Sequence, residues 1–494
     1  MGLSIASDKF LPDDYVRFSH RLNECLRVLS AMLQDPAFGG AESSWGAELE
    51  LYLVDGAGEV VHCNEEVLAE AANPQLTPEL NRFNLEYNSA PVIASPTPLS
   101  QLQAEFESAL SALAKITRHY SANPVAIGIL PTVKQSDFGL SHMTDLPRYR
   151  ALTNGLKKIG SGEFRIHING EPPLKMVVDD VTFEGANTSF QVHYRVAPAH
   201  FAKLYNGLIL ATPIVLGIAG NSPTLFGHRL WRETRIPLFK HSIDSRPKSS
   251  DWRQPARVSL GQGFLRNSAY ELFAESVATQ PPVLPICSDR DYMAEWKSGE
   301  VPRLDELRMH QNTVWSWLRP VYDYAAGGHL RIELRVLPAG PTLVDMMANA
   351  AFYIGLGEAI ADRADDMLPG MPFNYAKYNF YRAAQFGTSA RLVWPIQSRH
   401  CLEERDLCSI ARSLLPMARE GLQRTGMHER DINHYLSIIE ERIATRQTGA
   451  DWQLQQLQTL GCNWPAPQEA LRDVLAGYMQ RQTSGVPVAR WSEL

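Results

Sequence analysis

Two glutamates stand one residue apart in an otherwise apolar segment of the chain. In residues 45–54, WGAELELYLV, alternation with a period of two puts the apolar side chains on one face of a strand. Glu48 and Glu50 then fall together on the other face. Their Cα atoms would be about 6.5–7 Å apart, so the two carboxylates could share one cation or flank two neighbouring cations. This spacing indicates a cation site on one face of a strand.

Four further segments repeat this one-sided design, with polar side chains at alternate positions. They are 83–88 with Asn84, Glu86 and Asn88, 164–169 with Arg165, His167 and Asn169, 190–196 with Gln191, His193 and Arg195, and 331–336 with Arg331, Glu333 and Arg335. Any one of these strands is typical of an ordinary sheet whose polar face is solvated and has no function. The set differs from a plain solvent face, because the five faces hold four glutamates and two histidines but no lysine.

These residue types favour a nucleotide site that contains metal ions. Carboxylates and imidazoles are ligands for Mg²⁺ or Mn²⁺, and guanidinium groups suit phosphate oxygens. The set therefore indicates a nucleoside triphosphate held by divalent cations on the concave face of a sheet. The common motifs do not account for it: GxxxxGK[ST] and HExxH do not occur, and Gly261-Gln262-Gly263 lacks the third glycine of a dinucleotide-binding loop.

Composition limits the partners and the location of the protein. The 494 residues include 47 lysines and arginines against 54 aspartates and glutamates, so the net charge is −7 and nucleic acid is not an expected partner. Six cysteines without a CxxC pair favour free thiols in a reducing compartment. The most apolar run, 207–220, is shorter than the roughly 20 residues that a bilayer requires. We expect a cytoplasmic protein without a leader or membrane segment, in which this run forms a buried core helix.

Helical and extended patterns divide the chain into two regions. Apolar spacing predicts helices over 13–33 and 98–119, short alternating or apolar runs predict strands between 44 and 336, and helices return after that. The predicted fold is α+β: a curved, mainly antiparallel sheet with a polar concave face, helices outside it and a helical C-terminal part. We expect residues 1–345 to form the catalytic sheet region and residues 346–494 a helical region packed on the same domain. The sequence does not indicate an oligomeric state.

Seven segments resemble, in order, the glutamate-cysteine ligase family in its bacterial and plant-type branch, which shares its fold with glutamine synthetase. They are GAELELYLVD at 46–55, NLEYNSAP at 84–91, LPRYRAL at 146–152, NTSFQVHYRV at 187–196, Asn221-Ser222-Pro223 followed by Arg229, Arg232 and Arg235, HQNTVWSWLRP at 310–320, and RIELRVLPAGPT at 331–342. Each match is short, and the specificity lies in the ordered set.

The resemblance implies an ATP-dependent carboxylate-amine ligase that acts on small molecules. The γ-carboxylate of glutamate, or of a similar acid, would attack the γ-phosphorus of ATP. The amine of cysteine, or of another amino acid or amine, would then attack the acyl phosphate to form an amide. Catalysis would depend on positioning and on cations that stabilise the transferring phosphoryl group. No segment identifies the acceptor amine.

The resemblance also implies roles for particular residues. Two or three Mg²⁺ ions, or Mn²⁺, would be bound by Glu48, Glu50, Glu86, His193 and Glu333. Arg335 and Arg235 would contact the γ-phosphate, Gln191 would lie at the nucleotide, and the substrate would be contacted by Arg148, Tyr149 and Asn221. Arg165 and His167 have no counterpart in the family and stay outside the metal set. Structural interpretations are also open: His193 as a core histidine, Arg235 in a solvated loop and Arg331 in an ion pair with an outer carboxylate.

The sequence departs from the family after the last strand, where Pro338-Ala339-Gly340 replaces an acidic residue of the plant-type members. Two other functions stay open, a metal-dependent amide hydrolase and a non-catalytic or regulatory homologue. Arg335 and Arg235 favour the ligase, because activation of water needs no cationic groups that bind phosphate. The presence of all four glutamates and His193 argues against a homologue without catalysis.

Overall fold

The structure is a computed structural model that describes residues 9–40, 42–93, 95–160, 162–246, 254–396 and 401–493. The strands are β1 (Ser44–Val54), β2 (Leu76–Pro78), β3 (Asn84–Asn88), β4 (Val92–Ile93), β5 (Asn123–Val125), β6 (Phe164–Ile168), β7 (Leu174–Val178), β8 (Phe190–Val196), β9 (Thr224–Leu225), β10 (His228–Arg229), β11 (Val258–Ser259), β12 (Trp315–Ser316), β13 (Leu318–Asp323), β14 (His329–Leu334), β15 (Arg391–Pro395) and β16 (Leu402–Asp406). The helices are α1 (Pro12–Gln34), α2 (Asn64–Ala71), α3 (Pro98–Thr117), α4 (Pro147–Ile159), α5 (Pro198–Gly217), α6 (Arg235–Ser242), α7 (Tyr270–Thr279), α8 (Tyr292–Lys297), α9 (Asp305–Gln311), α10 (Leu343–Ala361), α11 (Ala364–Met367), α12 (Phe373–Phe386), α13 (Leu407–Arg424), α14 (Glu429–Thr445), α15 (Gly449–Thr459) and α16 (Gln468–Ser484).

The main sheet runs in the order β13-β14-β8-β1-β3-β2, and β4 and β5 also pair with β1. These pairings are antiparallel. β1 lies between β8 and β3, and its apolar residues Leu49, Leu51 and Leu53 are buried as the alternation predicts. The curved antiparallel sheet with helices outside it confirms the predicted α+β class.

One of the five alternating segments lies outside the main sheet. β6 pairs with β7 in a separate two-stranded hairpin. Its residues alternate as predicted, with Arg165 and His167 exposed between buried neighbours. Alternation with a period of two indicates that one face of a strand is buried, but it does not identify the partner strand. The sequence of β6 therefore resembled the other four alternating segments.

Helices cover the apolar side of the sheet. Phe106 of α3 lies edge-to-face against Tyr87 of β3 and Phe190 of β8, with ring centroids 5.4 and 6.0 Å apart. On the same side, Tyr194 of β8 donates a hydrogen bond of 2.8 Å to Glu358 of α10. The polar side of the strands therefore faces away from this helical layer.

Helices α5 and α10 form the centre of the helical layer. Among the described residues, these two are long and apolar enough to cross a membrane by length and composition, yet 83% of the apolar window of each is buried inside the protein. They approach closely at Gly207 and Gly357, where a Cβ on Gly207 would lie 2.4 Å from the Gly357 carbonyl oxygen. The apolar run that begins at Gly207 thus lies in the core, with Pro213 inside α5.

The C-terminal helices contact the earlier part of the chain. Tyr478 of α16 donates a hydrogen bond of 2.9 Å to the carbonyl oxygen of Ala126. Arg442 of α14 forms a buried ion pair of 2.7 Å with Asp345 at the start of α10. The same carboxylate accepts the backbone N–H of Val488 at 2.9 Å. The division of the chain at residue 345 stays a prediction.

Candidate active site

Two groups of side chains suited to metal ions lie side by side on the polar face of the main sheet. The histidine cluster consists of Glu48, His193 and Glu333, and the carboxylate cluster of Glu50, Glu79 and Glu86. Within each cluster, the candidate ligand atoms lie within 4.8 Å of one another. Five of these six residues are the predicted metal ligands, and the sixth, Glu79, is additional.

The register of the strands brings these side chains together. His193 of β8 lies opposite Glu333 of β14, and Glu50 of β1 lies opposite Glu86 of β3. Directly opposite residues have Cβ atoms about 4.5–5.5 Å apart, within the reach of a shared ligand. A shift of one residue in either pairing would turn one partner toward the apolar side.

The histidine cluster has the chemistry of a cation site. His193 Nε2 lies 3.0 Å from Glu48 Oε1 and 3.6 Å from Glu333 Oε1, but neither ring nitrogen has a well-formed hydrogen bond among the described residues. Burial raises the pKa of Glu48, but the charge and the close approach of His193 together lower it to about 2. An ionised carboxylate beside an imidazole nitrogen without a hydrogen-bond partner fits a divalent cation.

Arg319 of β13 holds the buried carboxylate of Glu333. It lies opposite Glu333, and its Nε and Nη2 atoms donate to the two carboxylate oxygens, with 2.7 Å between Nη2 and Oε1. Nη1 of Arg335 lies 3.4 Å from Glu333 Oε2. Burial raises the pKa of Glu333, but Arg319 and Arg335 together lower it well below its usual range. Glu333 is therefore ionised and fixed in orientation.

The carboxylate cluster concentrates negative charge. Glu79 joins Glu50 and Glu86 from the turn between β2 and β3. Burial, and then repulsion by Glu48 and Glu50, raise the pKa of Glu86 to about 8. Burial and repulsion by Glu86 likewise raise the pKa of Glu79 well above its usual range. Because a divalent cation would remove this repulsion, the donor set fits a metal ion.

Gln191 links the two clusters. Its Nε2 atom donates to Glu50 Oε1 at 2.7 Å, and its Oε1 atom accepts from Arg335 Nη1 at 2.5 Å. The backbone N–H of Ser189 donates to the other oxygen of Glu50 at 2.7 Å. Since Arg335 also approaches Glu333 of the histidine cluster, its guanidinium lies between the two clusters.

Two cavities adjoin the clusters. A cleft of about 390 Å³ opens beside the carboxylate cluster, and its lining includes Arg148 and Tyr149 of α4 and also Glu184. A second cavity of about 260 Å³ lies beside the histidine cluster, with Phe273 and Tyr322 in its lining. The sheet face with the acidic clusters therefore has room for a ligand on either side.

Arg235 and Asn221 lie behind the strand ends and line neither cavity described above. Arg235 is 2% exposed, so it does not lie in a solvated loop, and it donates to the carbonyl oxygens of Arg335 and Val336 at 3.3 and 3.2 Å. Asn221 Nδ2 donates to the carbonyl oxygen of Ala339 at 2.7 Å. Both side chains hold the segment that follows β14, in which Pro338-Ala339-Gly340 departs from the family.

Sequence reasoning missed Glu79, Glu184 and Arg319. Glu79 lies in a turn and Glu184 in the 3₁₀ segment Thr182–Ala186, where no alternation marks a polar face. Arg319 could have been predicted on the polar face, because β13 alternates buried and half-buried residues over its whole length. Arg331 of β14 forms an ion pair of 2.8 Å with Asp323, as the structural interpretation of this residue had it.

Comparison with known proteins agrees with this geometry. The model of glutamate-cysteine ligase family 2 (GCS2) matches residues 44–484. The solved glutamate–cysteine ligase of Francisella tularensis in complex with AMP is similar in fold, with a TM-score of 0.52 and 12% identity over 92% of this chain and 96% of that chain. A bifunctional glutathione synthetase from Pasteurella multocida gives a TM-score of 0.50 and 12% identity over 93% of this chain and 54% of that chain. No curated protein matches the sequence significantly.

The likeness to the two solved structures shows the fold alone, whereas the family model covers most of the chain, including every residue of both clusters. The protein therefore belongs to glutamate-cysteine ligase family 2 and is an ATP-dependent ligase that joins a carboxylate to an amine.

Proposed function

We propose that this ligase joins the γ-carboxylate of glutamate, or of a similar acid, to the amine of cysteine or another small amine through an acyl phosphate. The observation that carries the proposal is the pair of acidic clusters with Arg335 between them. Transfer of a phosphoryl group to a carboxylate requires positive charge around its oxygens and fixed positions for both reactants. Arg335 supplies such a charge, and Gln191 holds its guanidinium in place.

We assign Mg²⁺ or Mn²⁺ to both clusters, with Glu48, His193 and Glu333 at one site and Glu50, Glu79 and Glu86 at the other. When bound, the cations would neutralise phosphate and carboxylate oxygens. The chain itself keeps the ligands oriented. Arg319 binds both oxygens of Glu333, and the Ser189 N–H and the Gln191 amide bind the two oxygens of Glu50.

The two cavities divide the substrates between the two sides of the site. In the larger cleft, Arg148 has no hydrogen bond or ion pair with the described residues, so its guanidinium is available for a carboxylate of the acid substrate. Tyr149, beside it, donates to the Pro78 carbonyl oxygen at 3.2 Å and shapes the wall of the cleft. The smaller cavity, beside the histidine cluster, would take the nucleotide. The phosphates would then cross the histidine cluster toward Arg335.

The cellular setting follows from the same chemistry. ATP, an acid and an amine are all small polar molecules, and the six cysteines of the chain are free. Cys401 is exposed, and Cys287 and Cys462 are partly exposed. Accessible free thiols are typical of a reducing compartment. We therefore place the enzyme in the cytoplasm.

The test is a coupled assay of ADP release with ATP, Mg²⁺ and L-glutamate against a panel of amino acids and small amines. We expect release that depends on the amine and falls about 100-fold or more in Glu333→Gln, because that variant loses one charged ligand of the site. Glu358→Gln is the matched control. Glu358 is also a buried glutamate, but it lies on the apolar side of the sheet and binds Tyr194 and His200 at 2.8 Å.

The other outcomes identify the other functions. Cleavage of amides in the presence of Mg²⁺ without ATP consumption would support a metal-dependent hydrolase. Binding of ATP without ADP release, for every amine of the panel and with several acids in place of glutamate, would support a regulatory homologue. Equal loss in Glu333→Gln and Glu358→Gln would mean that the histidine cluster has no special part in the reaction.

A further inference from the structure

The larger cleft contains a carboxylate that belongs to neither cluster. Glu184 lines this cleft from the 3₁₀ segment ahead of β8. Among the described residues, its carboxylate accepts no hydrogen bond and forms no ion pair. The turn is closed by backbone bonds of 2.9 Å from Glu184 N–H to Val181 O and from Asn187 N–H to Glu184 O, and by the Asn187 side-chain amide, which donates to Glu184 O at 2.8 Å. The side chain is therefore not required by the local fold.

Charged groups from several elements surround Glu184. Arg148 and Tyr149 face it from α4, Arg335 from the end of β14, and Glu50 and Glu79 from the carboxylate cluster. Burial, and then repulsion by Glu50, raise the pKa of Glu184 to about 7, and the two arginines only partly oppose this. A carboxylate within hydrogen-bond reach of an ammonium group can serve as its proton acceptor.

Part of the cleft wall is apolar. Leu152, Ile243 and Trp315 contribute to it, together with Pro78 and Leu146. A ligand in this cleft therefore meets apolar surface beside the acidic clusters and the arginines, and Glu184 is the one glutamate of the described lining without a hydrogen bond or ion pair. This combination suits the ammonium group of a small primary amine whose body is partly apolar.

We propose that Glu184 binds the ammonium group of the acceptor amine and takes its proton. The inference rests on the proposed ligase function. One proton passes from the nitrogen to the Glu184 carboxylate, and the freed lone pair forms the C–N bond at the carbonyl carbon of the acyl phosphate. The C–O bond to phosphate breaks, and its electron pair leaves with the phosphate. The proton that the new amide nitrogen must lose passes to the released phosphate.

Hydroxylamine separates proton removal from the earlier steps. It is an uncharged nucleophile at neutral pH and attacks an acyl phosphate without first losing a proton to the enzyme. Wild-type enzyme and Glu184→Gln are compared with L-glutamate, ATP and Mg²⁺, with either hydroxylamine or the best amine of the panel as acceptor. We expect E184Q to form hydroxamate near the wild-type rate but to lose about 100-fold or more of its rate with the amine.

Two further variants make the comparison specific. Glu184→Asp keeps a carboxylate in the cleft and should recover part of the rate with the amine, which also excludes a general folding defect. Glu171→Gln changes an exposed glutamate beside the β6–β7 hairpin and should leave both rates unchanged. Equal loss of both rates in E184Q, or no loss of either, would overturn the assignment. A wild-type enzyme that forms neither amide nor hydroxamate would refute the ligase function itself and this assignment with it.

Discussion

Replacement of Gln191 by methionine tests whether the link between the two clusters supports the site. Gln191 is 1% exposed and bonds to Glu50 and Arg335 at 2.7 and 2.5 Å. Methionine has a similar length and keeps the packing, but it can form neither bond. Glu50 would keep its bond from the Ser189 N–H, and Arg335 would keep its approach to Glu333.

The expected magnitude follows from these contacts. A hydrogen bond to a charged group contributes about 1.5–3 kcal/mol, so the loss of two such bonds lowers the free energy of unfolding by at most about 6 kcal/mol. Because both charged groups keep one partner, we expect about half of this, or about 3 kcal/mol. With an unfolding entropy of about 2.1 cal/mol/K per residue, the 494-residue chain would melt about 3 °C lower. Partners that orient metal ligands change metal affinity or activity by about 10–100-fold, so catalysis should suffer more than stability.

The assay measures ADP release as a function of Mg²⁺ concentration and pH. Burial already raises the pKa of Glu50, and loss of a hydrogen bond to its charged form raises this pKa further. In Q191M, half-maximal activity should therefore require more Mg²⁺ and a higher pH. Gln453→Met is the control, because Gln453 is also 1% exposed but donates to the neutral amide of Asn221. An unchanged Mg²⁺ requirement in Q191M, or the same shift in Q453M, would refute the reasoning.

Two further predictions concern stability. Burial lowers the pKa of His310 from 6.5 to about 4, so between these pH values the unfolded chain binds a proton that the native protein does not. Stability, measured by urea unfolding, should fall as the pH decreases from 6.5 to 4, and His310→Asn should flatten this dependence. Gly340 has a φ of +76°, and a Cβ there would lie 2.3 Å from the Ala126 carbonyl oxygen, so Gly340→Ala should lower the melting temperature by several degrees and abolish ADP release. Gly461→Ala, at φ +67° with nothing within 4 Å, should lose only about 1–2 kcal/mol, and equal melting of the two variants would contradict the argument from close contact.

Local alternation was sufficient to identify the polar face of the sheet. Glu48 and Glu50 of β1, Glu86 of β3 and His193 of β8 alternate with apolar residues that are buried in the structure. This pattern is a property of one strand at a time, because the side-chain period is fixed by backbone geometry. The α+β class follows from the same strands together with the amphipathic helices around them.

The pairing of strands was not available from the sequence. β6 has the same alternation as β8, yet it belongs to a separate hairpin. Glu79 and Glu184 reach the site from turns, where position depends on the strands on either side and not on a periodic pattern. Asn221 illustrates a further limit, since its bond to the Ala339 carbonyl oxygen depends on a contact between segments far apart in the chain.

The contact between α16 and the loop beside β14 has a consequence for the synthesis of the protein. Every residue of the two clusters has been translated by position 333, so a nascent chain holds the full ligand set before helices α10 to α16 are made. Tyr478, which bonds to both Ala126 and Asn221, is translated much later. A product truncated before α16 would contain all the chemistry of the site but not the side chain that braces the loop behind it. We therefore expect ligase activity to appear only after α16 has been translated, and a chain that ends before α16 to release no ADP.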